Sequence, residues 1–387
     1  MPYDLIPNKL NQRPFSYEDF NVPLQKIIGF VPELKARGDR PLQMTFEEQL
    51  DALIYFHLEE HTSGRHLIQT LNEEIFAKKY IAPKQGINKS SFFEAINSRG
   101  LEQMLALYNL LQKEAWNILP REFQDLGNLI LIDGTLIDAT FSMKWAKYRF
   151  GKKKAKVHLG FNLNQAIPGK IFLSEGKEDE RPYVGKILEK GQTGVMDRYY
   201  QRHQSFDEWQ EAEKHFVCRI RDNTWKKVLR KNDVKPDSIV FYDAIVILGA
   251  LKKQQTKKEV RVVGYRVGGK KYWIATDRYD LSSEDIANAY KLRWNVEVFF
   301  GWWKRHLKVY HLIARSQYGL TMQILAGLIT YILLAIYCQD KFGEKVNIKR
   351  VRELRNNIRN EAAMPRNDYQ ASLNQRRVPP EKSRAIT

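Results

Sequence analysis

Three carboxylates stand where their surroundings could turn them to chemistry. Asp133 ends the aliphatic run NLILID, Asp197 ends the short run TGVMD, and Glu297 lies in the proline-free stretch NAYKLRWNVEVFFGWWKRHLKVYH, residues 288–311. A carboxylate at the end of a buried strand is costly to leave unpaired, so it demands a cation or hydrogen-bond donors. As a set, the three are hard oxygen ligands with no soft ligand nearby, which suits Mg²⁺ or Mn²⁺ better than zinc. Two such ions about 3.5–4 Å apart can activate a water or a 3′-hydroxyl and stabilise the leaving oxygen of an in-line attack on phosphorus. Asp138, five residues after Asp133, competes for the first position but falls on the opposite face of a continuing strand. Asp133-Gly134 is also a turn dipeptide, so a strand-end turn is the plainer reading of that aspartate.

The element carrying Glu297 can be drawn as one helix. With about 100° per residue and Tyr290 at zero, Arg293 falls at about −60°, Glu297 at about −20°, Gly301 at about +20°, Lys304 at about −40° and Lys308 near zero. Leu292, Val296, Phe299, Trp303 and Leu307 make the apolar face opposite. The stripe therefore presents one carboxylate among basic and polar groups. Arg293 can grip a phosphate with its planar fork, Lys304 and Lys308 can supply point charges, and Tyr290 can donate a hydrogen bond. The competing reading is a solvated face with an Arg293–Glu297 pair four residues apart, contributing roughly a few tenths of a kcal/mol.

Other segments must hold these residues in place. From Thr45 the pattern is helical, with Thr45 and Glu48 as a capping box, and two or three more helices follow up to Leu119. Within them KSSFFEAINSR carries Lys89, Ser90, Ser91 and Arg99. It serves equally as a major-groove recognition helix or as an ordinary capped helix burying Phe92 and Phe93. After Gly127 the period changes to that of strands. The order becomes strand with Asp133, basic loop, hairpin about Pro168-Gly169, helix, and strand with Asp197. The loop from Lys144 to Lys156 includes Lys152, Lys153 and Lys154 among Trp145, Tyr148 and Phe150, a mixture suited to a phosphate backbone or simply to solvent. Three strand-like runs fill residues 224–280, and Ser282 or Ser283 can cap the helix that leads to Tyr290.

The spacing Tyr-x2-Arg-x3-Glu-x6-Lys, met by Tyr290, Arg293, Glu297 and Lys304, resembles the YREK signature of a large group of bacterial insertion-sequence transposases. That resemblance implies a DDE transposase with an RNase H-like core, in which the first and fourth strands bring Asp133 and Asp197 side by side and Glu297 completes the catalytic, metal-binding set. The fold expected is α/β: a mixed five-stranded RNase H-like sheet flanked by helices, with a β-rich insertion and an all-α N-terminal DNA-binding domain. Its boundaries would be 1–125 for the helical domain, 126–223 and 281–343 for the core, 224–280 for the insertion, and 344–387 for a basic tail, disordered from Met364. Asp197-Arg198-Tyr199 broadly matches the family's second motif and puts Arg198 on DNA, although Tyr199 stands where glycine is common. The family also suggests Trp273 as the aromatic that stacks on a flipped base when ends fold into hairpins. Packing under the insertion sheet competes for Trp273, and Trp225 is the fallback. The function implied is cleavage of the element's terminal inverted repeats and joining of the 3′ ends to target DNA, with Mg²⁺ as cofactor, Mn²⁺ as substitute, and a homodimer in the synaptic complex. The alternatives are another RNase H-like nuclease, such as a junction resolvase, or a domesticated DNA-binding protein without catalysis.

Composition agrees with a polyanionic partner, since the 387 residues carry a formal charge of +18. Cys218 and Cys338 lack metal-ligand spacing and fit a reduced, intracellular setting; the resemblance to bacterial transposases implies a cytoplasmic, nucleoid-associated place in a prokaryote. No secretory signal is visible at the start. Leu320–Cys338 is long enough to span a bilayer, yet Thr321, Gln323 and Thr330 within it favour a buried core helix and no membrane partner.

Overall fold

The computed structural model describes residues 14–36, 42, 44–83, 86–250 and 254–363. The tail from Met364, where the sequence predicts disorder, lies outside the described residues. In chain order the elements are α1 (Phe15–Ile27), α2 (Phe46–Leu58), α3 (Gly64–Glu73), α4 (Lys89–Ser98), α5 (Leu101–Ile118), β1 (Leu129–Asp138), β2 (Lys154–Asn162), β3 (Ile167–Glu175), α6 (Arg181–Ile187), β4 (Thr193–Met196), α7 (His203–Glu211), β5 (His215–Ile220), β6 (Lys226–Lys231), β7 (Val240–Leu248), β8 (Val260–Val267), β9 (Lys270–Thr276), α8 (Ser283–Lys291), α9 (Trp294–His306), α10 (Gln317–Phe342) and α11 (Ile348–Ala363). They form two compact units, Ile118–Arg305 and the remainder, Met1–Asn117 with His306–Thr387.

The Ile118–Arg305 unit is built on one mixed sheet in the order β3-β2-β1-β4-β5-β9-β8-β7-β6. Its first five strands have the RNase H-like arrangement: β1 is antiparallel to β2, β2 to β3, while β1, β4 and β5 run parallel. The insertion is not a separate sheet. Strand β9 pairs antiparallel with β5 and extends the same hydrogen-bond ladder. A Gly268-Gly269 turn with both φ positive joins β8 to β9, as a tight hairpin requires. Strand β6, KKVLRK, has no apolar alternation and was not among the three runs expected between 224 and 280.

One turn differs from expectation. The β2–β3 hairpin turns at Leu163–Ala166, where Ala166 takes φ 56°, and Pro168-Gly169 falls inside β3. Proline is tolerated there because β3 is an edge strand. Gly169 is needed because a Cβ would sit 2.7 Å from the Gly160 carbonyl oxygen.

The second unit is helical. The expected capping box is present: the Glu48 N–H donates to Thr45 Oγ1 at 3.2 Å and the Thr45 N–H to Glu48 Oε2 at 3.0 Å. Gly100, at φ 86°, separates α4 from α5. Helix α10 is apolar and long enough to cross a membrane, but it is almost wholly buried from Gly319 to Cys338, with α1, α2 and α4 against it. His57 is fully buried between the carbonyls of Leu307 (2.6 Å) and Gln323 (3.0 Å). Within this unit α1 and α11 are tied by buried Glu361, which accepts from the N–H and the hydroxyl of Ser16, each at 2.8 Å.

Candidate active site

Strand register sets the first two carboxylates. Strands β1 and β4 align Leu129 with Thr193, Ile130 with Gly194 and Leu131 with Val195. Continuing that register by two residues places Asp133 beside Asp197, on one face. Asp133 is not at a turn: β1 runs on to Asp138, with Asp133 opposite Leu159 of β2. Asp138 ends the strand exposed, paired with Lys154 at 2.5 Å. Asp197 caps the short helix that follows β4 and accepts from the Tyr199 N–H at 2.8 Å.

Burial pushes the Asp133 carboxyl up to about 7. The nearby Glu180 and Asp197 charges add to this, while the Gly134 N–H at 2.8 Å and Arg293 oppose it. Such a carboxyl has room in its electrostatics for one more cation. The cation that reaches it from within the chain is Arg293, whose Nη1 lies 3.6 Å from Asp133 Oδ2 and whose Nη2 donates to Glu297 Oε1. Glu297 is thus joined to Asp133 through a guanidinium. Among the described residues no three Asp, Glu, His or Cys side chains converge closely enough to hold a metal ion. Asp133 and Asp197 fit a hard divalent cation as adjacent oxygen donors, and Glu297 could join them by letting go of Arg293.

The segment 288–311 is two helices, not one. The Leu292 carbonyl accepts from the Asn295 N–H at 3.0 Å and from Asn295 Nδ2 at 2.8 Å, and the Val296 N–H reaches back only to Arg293 O at 3.2 Å. These i→i+3 bonds end α8 and restart the chain as α9. Arg293 therefore sits at the joint, and Glu297 in the first turn of α9, where the helix dipole favours an acid. The apolar face holds as expected in Val296, Phe299, Trp303 and Leu307, all buried. Phe299 meets Phe161 of β2 with ring centroids 4.9 Å apart.

The remaining candidates are placed unevenly. Tyr290 is buried, its ring 6.3 Å from that of Tyr272. Lys304 Nζ donates to the Leu136 carbonyl of β1 at 2.8 Å, and burial lowers its pKa below that of an ordinary lysine. Lys308 lies past the end of α9 with φ 50°, in the other compact unit, 3.6 Å from Glu60. Trp273 is half-buried, edge-on to Phe241 and Tyr242, with Lys226 Nζ 4.5 Å above its ring. Trp225 is about half exposed. Arg198 and Lys152 are exposed, Lys153 is partly covered, and Lys154 is bound to Asp138. In the helical unit Lys89 and Ser90 are exposed at the start of α4, Ser91 and Arg99 are partly covered, and Phe92 is fully buried.

Glu180 and Tyr200 escape a reading of the sequence, and Lys156, read there as the end of the basic loop, stands instead inside β2, opposite Leu136 of β1. Glu180 accepts from the Tyr200 hydroxyl at 2.7 Å and lies 3.1 Å from Lys156 Nζ. Lys156 is buried and also donates to the Glu178 carbonyl at 2.7 Å. A Cβ on Gly134 would come within 2.5 Å of Glu180 Oε2, so this glycine serves close approach rather than a turn. The signal available in the sequence was the alternation of Lys154, Lys156 and His158, which marks one face of a strand beginning before Val157.

Against known proteins, the family model for a transposase DDE domain matches residues 125–333, more than half of the chain. A protein from Geobacillus stearothermophilus, named as a probable transposase for insertion sequence element IS5377, is 28% identical over 225 residues, 57% of this chain and 59% of that one. A Synechocystis protein, named for transposition of element IS4SA, is 27% identical over 58% of this chain and 64% of its own. The matches span about three fifths of these curated relatives. A piggyBac transposase synaptic complex with hairpin DNA aligns at 11% identity and a TM-score of 0.43, over 98% of this chain and 88% of that one.

Proposed function

Because the chain belongs to the transposase DDE domain family, we propose that it is a DNA transposase that binds the terminal inverted repeats of its insertion sequence, cleaves the element ends and joins the freed 3′ ends to target DNA. The observation that carries this reading is the β1–β4 register, which puts Asp133 beside Asp197, with Glu297 linked to Asp133 through Arg293. Mg²⁺, with Mn²⁺ as substitute, is the cofactor these donors would take, and when bound it supplies charge stabilisation on the phosphoryl oxygens and lowers the pKa of the attacking hydroxyl. Asp133, on β1, and Asp197, directly after β4, would be the fixed ligands, and Glu297 would be the movable one. Arg293, released from Glu297, turns its fork to a phosphate oxygen. Lys304 holds the β1 backbone that carries Asp133, and Tyr290 seats the end of α8 beside the joint. Arg198 and Lys152 to Lys154 supply backbone contacts along the DNA path, and Trp273 is the candidate for stacking on a flipped base. Cut-and-paste through hairpin ends, a homodimer in the synaptic complex, and a cytoplasmic setting on the nucleoid complete the proposal.

The test is cleavage of a labelled duplex bearing the flanking element's end, with Mg²⁺ or with EDTA, by the unaltered chain and by Glu297→Ala. Loss of several kcal/mol of charge stabilisation predicts a rate at least ~10³-fold lower in the variant, with end binding kept. Nicking by Glu297→Ala at the unaltered rate, or cutting in EDTA, would remove this mechanism. Binding of the end without any cutting would favour the domesticated, non-catalytic protein.

A further inference from the structure

A cavity of about 750 Å³ in the helical unit is lined by Ser63, Arg65, Lys89, Asn97, Arg315 and Ser316, together with apolar residues. Among the described residues no acidic side chain lines it. Among the described residues no Asp or Glu forms an ion pair with Arg65, Lys89 or Arg315, whereas Lys154 and Lys156 each have one and Arg293 has two. Arg65, Lys89 and Arg315 are all exposed. Like charges held around a concavity repel one another, and an anion placed there offsets the cost.

The wall of the cavity is built from three separate helix starts. Ser63 caps α3 and accepts from the His66 N–H at 3.1 Å. Lys89 is the first residue of α4. Ser316 caps α10 and accepts from the Gly319 N–H at 2.9 Å. Asn97 Oδ1 binds both the N–H and the hydroxyl of Ser316, at 3.2 and 2.7 Å, and so fixes α4 to the start of α10. Gly64 lets α3 begin directly against α4, since a Cβ there would meet the Phe93 ring at 2.5 Å. Three helix N-termini, each with partial positive charge, add to the three cations.

We infer that this cavity anchors a backbone phosphate of duplex DNA through Arg65, Lys89 and Arg315. The inference rests on the reading of the chain as a DNA-processing transposase and extends it: the contact is independent of base sequence, and Lys89 serves it rather than a base edge. Cations and helix starts around a concavity match a tetrahedral anion, whereas α4 turns Phe92 fully inward and away from any groove.

The experiment measures duplex affinity against salt for the full chain, on one duplex bearing the element end and one scrambled. Arg65→Ala, Lys89→Ala and Arg315→Ala should each lower the salt slope by about one and weaken both duplexes by the same factor. Arg65→Lys and Arg315→Lys should keep the slope. Unchanged slopes in all three alanine variants would overturn the anchor, as would a loss confined to the element end, which would mean base reading. Protection of the unaltered chain by inorganic phosphate against heat, lost in the triple variant while DNA affinity stays, would reassign the cavity to a free anion. A chain that binds duplex with this slope but never cuts keeps the anchor and loses the transposase reading. One that binds no duplex loses both.

Discussion

Lys156 and Lys89 are the same residue put to opposite uses. In the sheet unit Lys156 is 8% exposed, held between the Glu180 carboxylate and the Glu178 carbonyl. In the helical unit Lys89 stands exposed at the start of α4, beside a cavity without an acid. The contrast extends to whole sites. Around Asp133 the covered charges of Lys156, Glu180 and Arg293 each have a partner drawn from the same unit, because an unpaired ion there would cost more than the fold can offset. Around Arg65, Lys89 and Arg315 the charges stay in water, where leaving them unpaired costs little. A buried cluster reports what the fold itself needs, and an exposed cluster of one sign reports what it is waiting to meet.

The contrast can be broken by deleting charges on both sides. Lys156→Ala leaves Glu180 with one fewer partner in a covered site and should destabilise the chain by about 3 kcal/mol, read as a lower midpoint in denaturant. A loss under about 0.5 kcal/mol, typical of a surface change, would show that the pair is solvent-like and the contrast false. Acid tests the helical unit's own buried group. Burial holds His57 down at about 4, below its ordinary 6.5. The folded state then refuses a proton that the unfolded chain accepts. Stability should be full above pH 6.5 and fall by about 3 kcal/mol as pH drops toward 4. His61 and His158, held low by burial in the same way, add to the fall. His57→Gln should shed one proton's share of it, and an unchanged pH profile in that variant would exonerate the histidine. Gly134→Ala forces Glu180 aside and should cost about 1–3 kcal/mol, checked by the same denaturant titration. Smallest of all, Arg65→Ala, Lys89→Ala and Arg315→Ala should each shift folding stability by no more than ~0.5 kcal/mol. A larger cost in calorimetry would mean that these cations serve the fold.

The sequence made the sheet unit readable because strand ends and their carboxylates follow local rules. Asp133 and Asp197 each close an apolar run, and the order of elements between them leaves few topologies for the sheet. The break between α8 and α9 was hidden, since neither glycine nor proline marks it; a single asparagine side chain, Asn295, takes the carbonyl that would have continued the ladder. The β2–β3 turn was misplaced because Pro168-Gly169 is the stronger turn signal in one dimension, while edge position and close approach to Gly160 explain it in three. Strand β6 was missed because an edge strand with five exposed residues carries no alternation to detect. The network of Glu180, Lys156 and Tyr200 joins residues twenty or more positions apart and has no local signature. The basic cavity is still less visible, for it gathers residues near 64, 90 and 315 whose separate stretches look like ordinary helix caps.

The nine-stranded ladder has a bearing on which strand edges this chain offers to another backbone. Its two outermost strands are both poor templates for another molecule's backbone: β3 carries Pro168, and β6 carries Lys226, Lys227, Arg230 and Lys231. Strand β5, HFVCRI, has no proline and a single full charge, Arg219, and it is β9 that covers it. A chain trimmed of residues 224–280 would bare the β5 edge, where Phe216, Val217, Cys218 and Ile220 outnumber the one arginine, and should aggregate more readily than the full chain. The inserted strands thus act as a cover slip for the sheet, whatever else they touch.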